Sequence, residues 1–222
     1  MKQEYQFRHE LKYRISYAQY IELRNRLRTV MQSDIHTGVD GRYLIRSIYF
    51  DNYMDKALYE KRDGVPVREK FRIRYYNDDF SYLTLEKKIK DDDLCMKVDA
   101  QISEEECREL LTGRTDWMEE HPSPLVQELY AKMRYQMLRP RVLVSYRREP
   151  YIYQAGNVRI TFDSDIRTTL FHRDFLEERV LDIDTAQTPQ DAFLPAIVRR
   201  LVQIDTLRQT AFSKYEACRR FG

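Results

Sequence analysis

Cations placed at every second position are the residues of this chain best suited to chemistry. In Lys70-Phe71-Arg72-Ile73-Arg74-Tyr75, three cations share one parity, and Phe71, Ile73 and Tyr75 share the other. A strand puts Lys70, Arg72 and Arg74 on one face, with neighbours about 6.6 Å apart. Glu86, Lys88 and Lys90 likewise oppose Leu83, Leu85 and Ile89, and Arg8, Glu10, Lys12 and Arg14 oppose His9, Leu11 and Tyr13. Arg159, Thr161, Asp163, Asp165 and Arg167 oppose Ile160, Phe162 and Ile166, while Asp182 and Asp184 oppose Leu181 and Ile183. A row of like charges repels itself at a solvated surface. It becomes favourable when a polyanion faces it, because the arginine fork matches phosphate oxygens bidentately. The pattern leaves two readings open: the solvated outer face that antiparallel sheets commonly have, or a phosphate-binding face.

The elements that must carry these residues follow from periodicity. Residues 5–14 alternate as a strand, Ser16 stands at an N-cap position, and Tyr20, Leu23, Leu27 and Met31 recur at helical spacing over residues 17–31. Residues 42–50 read as a strand, and Asp51 or Asn52 caps a short helix to about Lys61. Strands at 67–77, 80–90 and 94–102 are separated by Asp-rich turns. Ser103 with Glu106 makes a capping box for a helix to about Leu111, and a second helix fits residues 123–137, stopped by Pro140. Strands resume at 141–150, 151–155, 158–163, 168–171 and 179–184; helices close the chain at about 194–207 and 213–220.

Composition bounds what these elements build. The 222 residues carry 38 Lys+Arg against 36 Asp+Glu, so the +2 balance is that of neither a basic nucleic-acid arm nor an acidic tail. With 42% hydrophobic residues, 6 Gly and 7 Pro, the chain is neither disordered nor collagen-like. The 17 Tyr and 10 Phe suit strands better than a helical bundle. Residues 1–16 lack the apolar run of a signal peptide, and no stretch reaches the ~18 uncharged apolar residues of a membrane span. Cys95, Cys107 and Cys218 lack a C-x-x-C spacing, which indicates plain thiols in a reducing, cytoplasmic setting. His9 and His172 have no ligand spacing, and no G-x-x-x-x-G-K, H-E-x-x-H or G-x-S-x-G is present. The expected architecture is α+β, one domain over residues 1–222, with a closed antiparallel barrel of about eight strands and helices around it. Amphipathic helices need an apolar surface to rest on, which favours helices outside and charges lining a tunnel.

Seven segments in register then carry a resemblance. Glu10-Leu11-Lys12-Tyr13, Ser47-Ile48-Tyr49-Phe50-Asp51-Asn52, Lys70-Phe71-Arg72-Ile73-Arg74-Tyr75, Leu85-Glu86-Lys87-Lys88, Tyr146-Arg147-Arg148, Arg159-Ile160-Thr161-Phe162-Asp163 and Phe212-Ser213-Lys214-Tyr215 occur in this order. From about residue 4 to 220 the chain resembles the VTC (vacuolar transporter chaperone) domain of polyphosphate polymerases, in the triphosphate tunnel metalloenzyme superfamily.

The resemblance implies an eight-stranded tunnel that transfers phosphate from ATP to a growing inorganic polyphosphate chain, with a divalent metal, manganese or magnesium. Residue by residue it implies Lys12, Arg72, Arg74, Lys88, Arg148, Arg159 and Lys214 as catalytic phosphate ligands. Tyr146 and Ser213 become hydroxyl donors, and Asp182, Glu10 and Glu86 the metal candidates. The family's Glu-x-Lys near the tunnel end is here Asp182-Ile183-Asp184. Glu10 and Glu86 also suit ion pairs with Lys12 and Lys88. Sibling tunnel triphosphatases begin with Glu-x-Glu-x-Lys, whereas this chain has Arg8-His9-Glu10-Leu11-Lys12, so polymerase is preferred over triphosphatase. A domain that binds polyphosphate, triphosphate or nucleotide without turnover is the remaining alternative. A nucleic-acid surface is disfavoured because the aromatics lie opposite the cations. A membrane-protein partner subunit is implied by the eukaryotic relatives alone.

Overall fold

The computed structural model describes residues 9–92, 94–154, 158–170, 178–181, 185–190 and 210–221. Its frame is an antiparallel sheet: β1 (His9–Arg14), β2 (Gln32–Ser33), β3 (Tyr43–Asp51), β4 (Val67–Tyr76), β5 (Asp79–Asp91), β6 (Leu94–Ile102), β7 (Arg139–Tyr153), β8 (Val158–Leu170), β9 (Glu178–Leu181) and β10 (Thr185–Gln190). The path runs β1-β10-β8-β7-β3-β4-β5-β6, with β2 paired to β7 and β9 to β8 off the path. The sheet curls until its two ends meet side to side: Lys88 of β5 donates to Glu10 of β1 at 2.7 Å. No ladder joins β1 to β6 among the described residues, so the architecture is a curled antiparallel sheet within an α+β fold.

Helices cover the convex side. α3 (Glu104–Thr112) and α4 (Pro124–Tyr135) pack Leu110, Leu125 and Leu129 onto Phe71, Ile73, Leu83 and Leu85. These are the apolar parities of β4 and β5, so Lys70, Arg72 and Arg74 of β4 and Lys88 and Lys90 of β5 face the concave side, whereas Lys87 turns to Glu128 of α4. α1 (Tyr17–Arg28) lays Leu23 and Leu27 on Tyr151, Val158, Ile160 and Phe162 at the other end of the sheet. The expected capping box forms at Ser103 with Glu106, and the N-cap expected at Ser16 is a capping box too, with Gln19; each pair exchanges two bonds. At Gly113 the chain turns with φ 84°, a left-handed C-cap that a side chain would strain. α2 (Lys56–Arg62) starts later than the sequence suggests, from Asp55 at φ 53°, yet Asp51 still serves its first turn by accepting from the Ala57 and Leu58 amides.

Three expectations are corrected. Residues 139–153 form one strand, not two, and Pro150 sits where the partner of β7 changes from β3 to β2. A break in the ladder is where a residue without an N–H is tolerated. Residues 158–170 also form one strand, with a register shift against Ser145–Arg147 and a left-handed Asp165 (φ 54°). This bulge ends the simple parity read across 159–167. The last described helix, α5 (Lys214–Phe221), packs with Tyr215, Ala217 and Cys218 against Val142, Val144, Tyr146 and Ile166. One face of β7 is therefore apolar beneath α5 and polar beyond it. Asp182, Asp184, His172 and the helix expected at 194–207 lie outside the described residues.

Candidate active site

A cavity of about 490 Å³ opens on the concave side, lined among the described residues by ten cations and one carboxylate, that of Glu10. The segregation is local, because the whole chain is balanced at +2. β4 supplies Arg68, Lys70, Arg72 and Arg74, β5 supplies Lys88 and Lys90, and β1 supplies Lys12. β7 adds Tyr146 and Arg148, α2 adds Lys61, and Ser213 and Lys214 enter at the start of α5.

Buried acids fix the inner cations from behind. Asp163, with no exposed side-chain surface, accepts from Arg148 Nε at 2.6 Å and Nη2 at 2.8 Å, and from Lys214 Nζ at 2.5 Å. Glu86, 3% exposed, accepts from Arg72 Nε at 2.6 Å, lies 3.8 Å from Arg74 Nη1, and accepts from Lys97 at 3.4 Å. Arg72 also donates to Tyr49 Oη at 2.9 Å, and Arg74 to Ser47 Oγ at 3.3 Å. Glu10 takes Lys88 at 2.7 Å and Lys12 at 3.3 Å. The guanidinium groups are thus held in place before any ligand arrives, which is the condition for electrostatic stabilisation without reorganisation.

Titration follows from this crowding. Burial pushes the Asp163 and Glu86 carboxyls up, but the cations beside them win: Arg148 and Lys214 hold Asp163 down at about 2, and Arg72, Arg74 and Lys97 hold Glu86 at about 2. Burial pulls Lys70 down to about 7, helped by Arg68, Lys61 and Lys12 and opposed by Asp51. It also lowers Lys12 to about 8 against the pull of Glu10. Burial raises the Tyr146 phenol, yet Arg148, Arg74 and Lys214 together hold it below its ordinary value. The Tyr146 hydroxyl accepts from Arg74 Nη2 at 3.4 Å, and its own proton has no acceptor among the described residues. Ser213 Oγ accepts from the Glu216 amide and keeps its proton to donate.

Of the residues singled out from sequence, Glu10, Lys12, Arg72, Arg74, Lys88, Tyr146, Arg148, Ser213 and Lys214 come together on this cavity. Arg159 does not line it: its guanidinium binds Asp34 and donates to Tyr43 Oη at 3.0 Å, farther along β8 from Asp163. Glu86 lies behind the wall, ringed by Arg72, Arg74 and Lys97, a setting that does not fit a metal ion. Glu10 faces the cavity and offers a hard oxygen donor of the kind a divalent cation prefers, but Lys88 and Lys12 already hold its carboxylate. No cluster of three acid, His or Cys groups suited to a metal occurs among the described residues. Lys61, Arg68, Lys70 and Lys90 also line the cavity, although the sequence resemblance gives them no ligand role. Arg68 and Lys90 continue the parities of β4 and β5, but Lys61 sits on a short helix with no alternating signal.

Comparisons with known proteins bear on the family and the fold. The VTC domain family profile matches residues 7–221. No curated protein matches. A candidate adenylyl cyclase from Hippeastrum, in which triphosphatase activity is dominant, superposes with a TM-score of 0.58 at 12% identity, over 96% of this chain and 94% of that one. A candidate adenylate cyclase from Bacillus halodurans gives 0.52 at 14% identity, over 85% and 82%. At these identities the likeness is one of fold.

Proposed function

The chain belongs to the VTC domain family, and from that premise we propose that its concave cavity binds the triphosphate of ATP and passes the terminal phosphoryl group to an inorganic polyphosphate chain. One observation carries the reading: Arg72, Arg74, Arg148, Lys214, Lys12 and Lys88 converge on one cavity from five elements, the arginines held by buried carboxylates. A densely anionic ligand is what such a lining suits. In this reading the sheet closes into a tunnel around that ligand, and residues 1–222 act as one domain.

Phosphoryl transfer asks for alignment and charge neutralisation more than for covalent chemistry. A terminal oxygen of the acceptor chain forms a bond to the γ-phosphorus as the bond to the β–γ bridging oxygen breaks, and ADP leaves. Arg72, Arg74 and Arg148 bracket the oxygens on which charge collects, and Lys214 stands beside Arg148 on the shared carboxylate. Tyr146 and Ser213 donate to phosphate oxygens. Arg159 enters the reading as a contact for chain farther along β8. A divalent cation, Mn or Mg, when bound, supplies further neutralisation at phosphate oxygens. Glu10 is the described residue that would hold it, while the role of Asp182 rests on sequence resemblance. Cytosolic ATP is the expected donor.

The test is to incubate pure protein with ATP, Mn²⁺ and pyrophosphate and to separate the products by size. Chains longer than the primer support polymerase activity. Orthophosphate alone assigns a triphosphatase, the activity of the Hippeastrum neighbour. Binding without either product assigns a non-catalytic phosphate-binding domain.

A further inference from the structure

Three lysines of the cavity are tied to acids: Lys12 and Lys88 share Glu10, and Lys214 lies on Asp163. Lys70 is placed otherwise. It lines the cavity from β4, between Arg68 and Arg72 on the same face and directly opposite Lys88 of β5. Its ammonium lies 4.8 Å from the centre of the Tyr215 ring, and no ion pair or hydrogen bond holds it among the described residues. The elements around it mostly bring like charge. Arg68 of β4, Lys61 of α2 and Lys12 of β1 act against its proton, and Asp51 at the end of β3 opposes them. α5 presents the Tyr215 ring, whose hydroxyl already donates to Asp51. Burial and these cations bring Lys70 down to about 7, so a large share of it is free amine at neutral pH. A lysine desolvated beside other cations is the arrangement that forms imines with carbonyl compounds. The cations that loosen its proton also attract phosphate. Arg68 and Lys90 stand opposite each other two residues along the face from Lys70, about 6.6 Å away, the span of a short carbon skeleton.

We propose that Lys70 is a covalent modification site, where its Nζ condenses reversibly with a small phosphorylated aldehyde whose phosphate is held by Arg68 and Lys90. The nitrogen lone pair adds to the carbonyl carbon, the oxygen takes up protons from the nitrogen, and water leaves as the C=N bond forms. No oxidant or reductant is consumed. The adduct fills part of the cavity and competes with triphosphate until water restores the lysine. This rests on the phosphate-binding reading above for the pull on the phosphate group, and it adds a second class of ligand and a reversible block.

The test uses pyridoxal 5′-phosphate as probe, borohydride to reduce the imine to a stable amine, and peptide mass mapping to locate it. The label is expected at Lys70 in preference to every other lysine. Pyridoxal, which lacks the phosphate, should label Lys70 about tenfold more slowly, because the cations no longer concentrate it, and excess triphosphate should protect the site. Labelling should rise with pH up to about 7 and then level off, whereas an ordinary lysine goes on gaining free amine. Lys70→Arg keeps the charge without the nucleophile and should lose the label; the wild-type map decides the point even where that variant does not fold. Label spread evenly over Lys61, Lys90 and the outer lysines, or undiminished in a folded Lys70→Arg, overturns the modification site and leaves the phosphate-binding reading standing. Triphosphate calorimetry on the same preparation keeps the two apart. A wild type that binds no triphosphate, with Lys70 labelled equally by both probes, overturns both.

Discussion

At Asp163, one carboxylate without exposed surface holds both Arg148 and Lys214. Removing its charge leaves two buried cations without compensation, so Asp163→Asn is expected to cost about 3–5 kcal/mol by denaturant titration, with part recovered on adding triphosphate. The folded pKa of about 2 lies below the unfolded value, so the contribution of Asp163 is present above the unfolded pKa and fades as pH falls towards 2. Lys70 works with the opposite sign. Its folded pKa of about 7 lies below the unfolded value of 10.5, so the cost of burying its charge is full below pH 7 and is relieved as pH rises. A phosphate ligand favours the charged form. Its affinity should therefore fall as pH rises above 7, approaching tenfold per pH unit for one proton taken up. Lys70→Arg keeps the charge at every pH and should flatten that profile; comparison of the two proteins cancels the ionisation of the ligand itself. An identical pH dependence in both would place the titrating group elsewhere.

The elements show what local sequence specifies and what it does not. The parities of β4 and β5, the N-cap at Ser16, the capping box at Ser103, and the cations of the Lys70–Tyr75 row are local features, and a single strand or helix expresses them. The mixed face of β7 was not readable locally, because Val142 and Val144 share a side with Tyr146 and Arg148 only where α5 covers them. Sequence alternation cannot announce a helix contributed from some 70 residues later. Arg159 follows the same logic: its strand parity is readable, but its distance from the cavity depends on where β8 crosses β7 and on Asp34, which takes its charge. The anchor of α5 is the Tyr215 hydroxyl, which donates to buried Asp51 at the end of β3. Tyr215→Phe should cost about 1.5–3 kcal/mol, as for a hydrogen bond to a charged group. It should also weaken triphosphate binding, since Ser213 and Lys214 enter the cavity on that helix. Unchanged stability would show that packing against Val142 and Val144 suffices to hold α5.

Over the whole molecule, charge is balanced in number and separated in space. A chain of net +2 places, among its described residues, ten cations and one carboxylate around one cavity and sets Asp163 and Glu86 behind the cations they hold. Like-charge crowding of this kind opposes folding and is relieved by a ligand of opposite sign. A ligand that binds only the folded state at about 100 times its dissociation constant adds ~2.7 kcal/mol of stability. The most direct measurement is calorimetric titration of inorganic triphosphate into the wild type and into Arg72→Ala/Arg148→Ala, at ionic strength matched with sodium chloride. The account predicts saturable binding by the wild type, a melting temperature raised by triphosphate but not by the salt, and loss of both responses in the double variant. Triphosphate binding that survives the loss of Arg72 and Arg148, or a wild type that responds to triphosphate no more than to sodium chloride, would contradict it.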